Sequence, residues 1–310
     1  MMTTQPEKPD TQPELSIVIL NWNTRELLAQ CIDEIVRHIG NITHEVVVVD
    51  NASTDGSQGL LAERFAWVHL IQNTDNVGFA RANNRGMRES RGTNLLLLNT
   101  DAFVQANSLQ AMLHVLQTQP RAGIVGAHLL NADGSFQASH TPFPSLLQEF
   151  LILSGLGRIL RGPRYPSRGP EENIGPQQVD YVEGAALLVR RAAFEKAGGL
   201  DEGFFMYAEE VDWCYMMKQA GWQVWYAPEA KITHLGGASS KNRKTAREAD
   251  LYRSRVRFFR KHHGAVPAAL LKSLIIASVL AKHVGHGLLR VATGGKRGRS
   301  VAALEQIKGL

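Results

Sequence analysis

The chain of 310 residues is 44% hydrophobic, which is enough for a full core in one large domain or two small ones. Its two cysteines, Cys31 and Cys214, lie far apart without metal-binding spacing, which argues against a disulfide framework and fits a reducing compartment. The formal net charge is +5, and basic residues are concentrated toward the far end. This asymmetry indicates a negatively charged partner, either a membrane or a nucleic acid.

The first fourteen residues are polar and proline-rich. They have neither the apolar core of a signal peptide nor an arginine-rich amphipathic pattern. We therefore expect a disordered leader over residues 1–14 and a cytoplasmic protein.

From residue 15 onward, short apolar runs alternate with segments of helical spacing. Leu15–Leu20, Glu45–Val49 and Trp67–Ile71 are typical of buried strands, and so is the leucine run that begins at Leu95. Strands that alternate with helices predict an α/β fold with a mostly parallel, Rossmann-like sheet flanked by helices.

Polar side chains follow the predicted strands where each strand ends. Asp50 follows the second strand, and Asn99 and Asp101 follow the leucine strand. Ligands gather beyond the carboxyl ends of such strands, and a carboxylate beside an apolar layer needs a partner, either a metal ion or a nearby Arg or Lys. Because Asn21–Thr24 follow the first strand where glycines would be needed, a nicotinamide dehydrogenase is disfavoured. A P-loop enzyme is disfavoured by the missing GK[ST] motif.

A second cluster of acids, Glu209, Glu210 and Asp212, opens a helix that we expect to stop at Gly221. Three acids suit the positive end of a helix dipole. Aromatic neighbours on each side keep them from all facing water, so one carboxylate can have the raised proton affinity of a general base. His234 follows in a strand and turn; a lone histidine is more often structural, but a metal is already suspected here.

Two apolar segments lie outside this pattern. Pro142–Pro170 carries arginines on its trailing half and is too short to span a bilayer, so it is either a core helix or a segment on a membrane surface. Beyond a basic helix predicted over Lys241–His263, Pro267–Val291 is apolar but interrupted by lysines and histidines. We expect no run of spanning length there, and an amphipathic anchor on an anionic inner leaflet. The alternative is a helix packed on the catalytic domain or on a partner subunit.

Six motifs in order resemble those of the family-2 glycosyltransferases of the GT-A fold, and most of all their bacterial rhamnosyltransferase-like branch. The motifs are LSIVILNWNT, VVVVDNASTDGS, NVGFARANNRGM, LLLLNTDAFV, FFMYAEEVDW and ITHLGGAS. The resemblance implies a GT-A catalytic domain over 15–240, with a nucleotide-sugar half up to about residue 130 and an acceptor half after it. A basic, amphipathic helical extension over 241–310 would follow.

The resemblance implies transfer of a sugar from a nucleoside diphosphate donor to a saccharide or polyprenyl-linked acceptor, with inversion, in cell-surface polysaccharide synthesis. dTDP-rhamnose is the favoured donor, and a UDP-sugar is the alternative. The residues it implies at the nucleotide sugar are Asn21, Asn23, Asp50, Asn51, Gly78, Phe79, Asn83 and Asn99.

Asp101 and His234 would hold Mn²⁺ or Mg²⁺ on the diphosphate, again by resemblance. Glu210 matches the catalytic base, Asp212 is the second choice, and Glu209 would orient the acceptor. Three departures stand out: Asn99 replaces the first Asp of the metal-binding pair, the base is Glu where Asp is commoner, and Met216 stands where relatives often carry Arg.

These departures keep open a second hypothesis, a catalytically silent, membrane-associated assembly partner. Nucleic-acid binding is a weaker third hypothesis, because no binding motif with interleaved aromatics accompanies the basic far end. We therefore expect a cytoplasmic protein, peripheral on the inner face of the cell membrane, with no nucleic-acid partner. A homo-oligomer stays open.

Overall fold

The structure is a computed structural model that describes residues 12–167, 169, 174–237 and 244–292. Most of the predicted leader and the basic run Gly294–Ser300 lie outside the described residues. The chain divides into two compact units. The first takes the chain up to Phe143 with Ser167–Gly203 and Glu209–Ser239, and the second takes Pro144–Pro166, Phe204–Ala208 and the chain from Ser240 onward.

The first unit consists of strands and helices that alternate along the chain. Its strands are β1 (Leu15–Asn21), β2 (His44–Asp50), β3 (His69–Gln72), β4 (Asn94–Asn99), β5 (Ala102–Val104), β6 (Ala122–Leu130), β7 (His140–Thr141), β8 (Gln177–Val179), β9 (Tyr181–Val182), β10 (Ala186–Arg190) and β11 (Gln223–His234). Its first helices are α1 (Arg25–His38), α2 (Ser57–Arg64), α3 (Phe79–Glu89) and α4 (Ser108–Thr118).

A nine-stranded sheet organises this unit, with the order β3-β2-β1-β4-β10-β6-β11-β5 and with β8 paired to β11. β3, β2, β1 and β4 run parallel, β11 runs parallel to β6, and β10, β5 and β8 run antiparallel to their neighbours. Apolar clusters lie on both faces of the sheet, which explains why the central strands are continuous apolar runs. The predicted mostly parallel α/β sheet is confirmed.

The leucine motif forms two strands and not one. β4 ends at Asn99, the chain turns at Thr100 and Asp101, and β5 pairs antiparallel with the end of β11, where His234 lies opposite Ala102. A register shift in β11 between Ala227 and Lys231 precedes this pairing. The shift changes the course of the last part of β11, because a bulge bends the strand that carries it.

The helices of the second unit are α5 (Leu146–Ser154), α6 (Leu156–Arg161), α9 (Lys244–His262) and α10 (Ala265–Ala292), whereas α7 (Arg191–Ala197) and α8 (Glu209–Gln219) belong to the first unit. α10 packs against α9 and α5. The predicted C-terminal helical extension is confirmed within the described residues.

One expectation for this extension was wrong. Ala265–Val284, within α10, has a mean hydropathy of 1.7 and is long and apolar enough, by length and composition, to cross a membrane. The lysines that interrupt the run do not lower its mean hydropathy below that of a membrane-spanning segment. Both cysteines are free and buried.

Candidate active site

The loops that follow β1 and β2 are tied together by a buried carboxylate. Asp50 is 0% exposed, and its oxygens accept hydrogen bonds from the Asn21 amide (2.7 Å), the Ser53 backbone NH (2.9 Å) and the Gln58 amide (2.7 Å). Asn23 has a left-handed backbone (φ 53°), and its side-chain oxygen accepts from the Thr54 NH at 2.7 Å. The observed role of Asp50 is to shape this loop pair. Its predicted contact with a base or ribose stays a prediction.

A second group of amides lies where β2 meets the loop before α3. Asn51 is buried; its amide nitrogen donates to Asn76 (3.1 Å) and to the carbonyl of Gly78 (3.3 Å), and its oxygen accepts from Asn73 (2.7 Å). Gly78 has φ 85°, a conformation that favours glycine. The structure thus brings Asn51 and Gly78 together at one end of the sheet.

α3 begins at Phe79, directly after this loop. Phe79 is half-buried, and Asn83 one turn later is buried and donates to the Phe79 carbonyl at 3.0 Å. This hydrogen bond of the Asn83 side chain is internal to its helix.

A chain of hydroxyls links these loops to the end of β4. Thr24 donates to the Asn21 oxygen at 2.8 Å, and its hydroxyl lies 2.9 Å from that of Thr100. Because Thr100 directly precedes Asp101, the hydrogen bonds of the predicted nucleotide residues after β1 extend to the neighbour of the predicted metal residue after β4.

Asp101 and His234 face each other across the β5–β11 pairing. The His234 Nε2 atom lies 3.4 Å from Asp101 Oδ1, and the Leu235 NH donates to the Asp101 carbonyl at 2.9 Å. Gln137 accepts from the other ring nitrogen, with Nδ1 to Oε1 at 2.7 Å. A neutral imidazole that donates from Nδ1 carries its lone pair on Nε2, which is the atom turned toward Asp101.

This pair fits a divalent cation. Two ligand atoms of an octahedral Mg²⁺ or Mn²⁺ ion, each about 2.1 Å from the metal, lie about 3 Å apart. The 3.4 Å between Nε2 and Oδ1 is close to that spacing. Within the described residues, no group of three or more His, Cys, Asp or Glu side chains could hold a metal. The pair would therefore have to share its cation with oxygens of a ligand or of water.

The acid cluster opens α8. Glu209 and Asp212 are buried and Glu210 is half-buried. Burial raises the pKa of Glu210, and burial together with the charge of Glu210 raises the pKa of Glu209 well above its ordinary value. The Oε2 atom of Glu209 has no hydrogen-bond partner within the described part of the chain. A half-buried carboxyl with a raised proton affinity has the properties of a general base.

The acid cluster lies near the end of β4, next to a backbone hydrogen bond made by Asn99. The Asn99 NH donates to the Ala185 carbonyl at 3.0 Å. Gly184 directly precedes Ala185, and a methyl group placed on Gly184 would lie 3.5 Å from Cβ of Glu210. Glu210 therefore packs beside the residue that borders the end of β4, two residues before Asp101. The predicted base and the predicted metal residue lie at the same edge of the sheet.

Sequence reasoning missed two residues of this site, Gln137 and Gly184. Gln137 lies in a polar loop, and nothing in its local sequence distinguishes it from neighbouring polar residues. Gly184 precedes the apolar β10 and could have been noticed as a glycine at a strand start, where another group approaches closely.

The fold and this site define a glycosyltransferase of the GT-A fold. The model of glycosyl transferase family 2 matches residues 16–198, more than half of the chain, and the chain belongs to that family. It is 29% identical over 279 residues to N-acetylglucosaminyl-diphospho-decaprenol L-rhamnosyltransferase of Mycobacterium tuberculosis, with 84% of this chain and 88% of that protein covered.

Two solved structures share the fold at low sequence identity. Mannosyltransferase PcManGT from Pyrobaculum calidifontis, in complex with GDP-Man and Mn²⁺, has a TM-score of 0.57 at 18% identity, with 96% of this chain and 81% of that chain covered. GalNAc-T7 with UDP, GalNAc and Mn²⁺ has a TM-score of 0.59 at 16% identity, with 81% of this chain and 48% of that chain covered.

Proposed function

We propose that this protein is an inverting, metal-assisted glycosyltransferase of cell-surface polysaccharide synthesis, with dTDP-rhamnose as donor and a saccharide or polyprenyl-linked acceptor. The observation that carries the proposal is the position of Glu210 on Gly184, next to the strand end that leads to Asp101. The mycobacterial relative, which is named as a rhamnosyltransferase acting on a decaprenol-linked sugar and is covered nearly end to end, supports the donor and the acceptor class.

Glu210 acts as the base in this proposal. Its carboxylate takes the proton of the acceptor hydroxyl while the hydroxyl oxygen forms a bond to the anomeric carbon. The bond from that carbon to the diphosphate breaks on the opposite face, so the sugar is inverted and the diphosphate leaves with the bonding electrons. Asp212 is the second candidate for the base, and Glu209 is proposed to orient the acceptor.

Asp101 and His234 are proposed to hold the divalent cation, Mn²⁺ or Mg²⁺, which when bound neutralises charge on the departing diphosphate. Asn99 offers an amide oxygen where a second carboxylate is usual, so we expect weaker metal binding. The proposed nucleotide site is formed by the loops after β1 and β2 and by the start of α3. Asn21, Asn51 and Gly78 position these loops through the hydrogen bonds described above.

The test is a transfer assay on a lipid extract, with a panel of nucleotide sugars and with Mn²⁺, Mg²⁺ or EDTA. We expect transfer only from the cognate donor and only with a divalent metal. Glu210→Gln should lower kcat by about 10²- to 10⁴-fold, the usual range for loss of a general base, and Asp101→Asn should remove the dependence of transfer on the divalent metal together with most of the activity. Glu26→Gln, on an exposed carboxylate of α1, is the matched control and should be unchanged.

Other outcomes would favour the alternatives. Transfer from a UDP-sugar alone would replace rhamnose in the proposal. A protein that binds a nucleotide sugar with metal, but transfers nothing to any acceptor fraction, would favour the silent assembly partner suggested by Asn99 and Met216. A retained anomeric configuration in the product would contradict the inverting mechanism.

The proposed location of the protein is the inner face of the cell membrane.

A further inference from the structure

One face of α10 is exposed and carries no charge. Val266 is 70% exposed, and the exposed uncharged residues from Val266 to Val284 recur every three or four positions, so they lie along one side of the helix, whereas the exposed Lys282 lies on the other side. We call this side the open face of α10; it consists of Val266, Ala269, Leu270, Ser273, Ala277, Leu280, Ala281 and Val284. A row of this kind over some 18 positions is about 27 Å long.

The opposite side of α10 is already used within the second unit. Leu271, Ile275 and Val279 are buried, and the Ser278 hydroxyl donates to the Leu153 carbonyl of α5 at 3.0 Å. The open face is therefore additional apolar surface and is not the side that packs on the neighbouring helices. Exposed apolar rows of this length mark interaction sites.

α5 and α6, in the same unit, also expose large apolar side chains. Ile159 is 79% exposed, and Leu147 and Leu160 are each 66% exposed. Two exposed arginines, Arg158 and Arg161, flank Ile159 and Leu160 on α6. Apolar residues directly beside arginines are typical of helices that lie on an anionic membrane surface.

The charge of this unit favours a negatively charged partner. The sequence contains no Asp or Glu from Leu251 to Leu304. On α5, Glu149 is buried and accepts from Arg255 at 3.0 Å, so its charge is not presented to a partner. A second copy of the chain would bring the same positive charge to the contact and would be repelled.

α10 is better suited to lie on the surface of the bilayer than to cross it. A crossing segment Ala265–Val284 would place Lys272 well inside the hydrocarbon, where a lysine is costly. One side of the helix is, in addition, occupied by its own unit. An interfacial helix needs only one free apolar face, which α10 has.

We propose that the open face of α10, with Ile159, Leu160 and the two arginines of α6, docks onto an anionic phospholipid bilayer. The proposal rests on the proposed function in one respect, because an acceptor anchored in the bilayer gives the docking its purpose. The apolar residues enter the headgroup region, and Arg158 and Arg161 bind lipid phosphates. Each Lys or Arg near an anionic leaflet raises partitioning roughly fivefold.

The test is flotation of the full-length protein with vesicles of phosphatidylcholine alone or mixed with phosphatidylglycerol. We expect flotation with the anionic vesicles, weakened by salt. Leu270→Glu combined with Leu280→Glu should abolish it, whereas Val36→Glu, on an exposed apolar residue of α1, should not. Arg158→Gln combined with Arg161→Gln should lower partitioning about 25-fold, two steps of fivefold. Arg37→Gln, on an exposed arginine of α1, is the control.

Each remaining outcome overturns the docking proposal. No flotation, or equal flotation of the α10 variant and Val36→Glu, removes the open face as the docking site. A dimer in light scattering that the α10 variant separates identifies a second copy as the occupant. Resistance to carbonate extraction identifies a crossing helix. Transfer to a detergent-solubilised acceptor reports on the proposed function separately, and the α10 and α6 variants should leave it unchanged.

Discussion

The Nδ1 atom of His234 lies 2.7 Å from Oε1 of Gln137, although the two residues are 97 positions apart in the chain. The amide nitrogen of Gln137 donates to Asn131 Oδ1 at 2.9 Å and to the His234 carbonyl at 3.0 Å, which fixes its oxygen as the group facing the ring. Gln137 thus holds the proton of His234 on Nδ1. The partner of the second ring nitrogen determines which nitrogen can bind a metal.

We predict that Gln137→Ala weakens Mn²⁺ binding by about 10- to 100-fold, because the imidazole loses its fixed tautomer and orientation. Gln137→Glu should keep or strengthen binding, since a carboxylate accepts the same proton. Titration of the protein with Mn²⁺, followed by electron paramagnetic resonance, measures this directly. Gln117→Ala, on an exposed side of α4, is the control. Equal affinity in the Ala and Glu variants would contradict the positioning role.

The pH dependence of transfer should report on Glu210. Burial raises the pKa of this carboxyl, and a base must be ionised, so kcat/KM should fall as the pH drops through a value above the ordinary range of Glu. Gly184→Ala should move this acid limb to higher pH, because a methyl group 3.5 Å from Cβ of Glu210 removes water without a clash.

Gly134→Ala would be a poor control for this variant because the φ of Gly134 is 79°. Gly175→Ala, where nothing lies within 4 Å, serves instead. An acid limb unmoved by Gly184→Ala would argue for Asp212 as the base.

Glu209 should lower stability at alkaline pH. Burial is the main cause that raises the pKa of Glu209, and the negative charge of Glu210 raises it further. The folded protein therefore keeps a proton on Glu209 that the unfolded chain releases. Stability is therefore highest below the ordinary pKa of Glu and is lost as the pH rises toward the raised value. Glu209→Gln should stabilise the protein by about 1–3 kcal/mol at pH 8, the usual cost of a buried unsatisfied group, and change little at pH 4. Urea unfolding at both pH values measures this, with exposed Glu63→Gln as control. If Glu209→Gln stabilised the protein more at pH 4 than at pH 8, this prediction would be wrong.

The second unit contains a buried ion pair that can be tested in the same way. Glu149 is 2% exposed and accepts from Arg255 at 3.0 Å, and burial raises its pKa despite the arginine. Arg255→Met should cost about 3–5 kcal/mol at pH 8, because a buried charge is left alone. The loss should shrink at pH 4, where Glu149 takes up a proton.

The double variant Glu149→Gln with Arg255→Met should regain most of the stability lost by Arg255→Met at pH 8. Thermal melts of the two variants and the wild type provide the comparison. If the double variant is as unstable as Arg255→Met alone, the packing of the arginine stem, and not its charge, is what matters.

The sequence predicts the parallel half of the sheet well, because each of these strands is marked by a pattern within its own short segment. β1, β2 and β4 are apolar runs that end in polar residues, and the acids of α8 start a helix where they were expected. The antiparallel insertion of β10 between β4 and β6 was not predictable, because it depends on pairing with one segment about ninety residues earlier and another about sixty residues earlier. That insertion is what places Gly184, and with it Glu210, beside the end of β4.

The hydrogen-bond partners of the site side chains were not predictable from the sequence either. Asp50 ends a strand as expected, yet its carboxylate is satisfied by Asn21, Ser53 and Gln58, which sequence alone could not assign. The contact between Gln137 and His234 likewise forms only when the loop after β6 reaches the end of β11. Such contacts arise from the tertiary fold, and no local pattern encodes them.

The irregularity in β11 makes the site sensitive to the length of one short segment. Only two residues separate Asn99 from Ala102, a reach of about 10 Å, so the end of β11 must approach the end of β4 closely for β5 to pair with it. Pro228 lies within the irregular stretch, at the kind of position where a strand tolerates proline. Because side chains alternate along a strand, losing a single residue between Ala227 and Lys231 would point the imidazole of residue 234 to the other side of the sheet. The spacing of that stretch therefore matters to the proposed metal site as much as the histidine itself does.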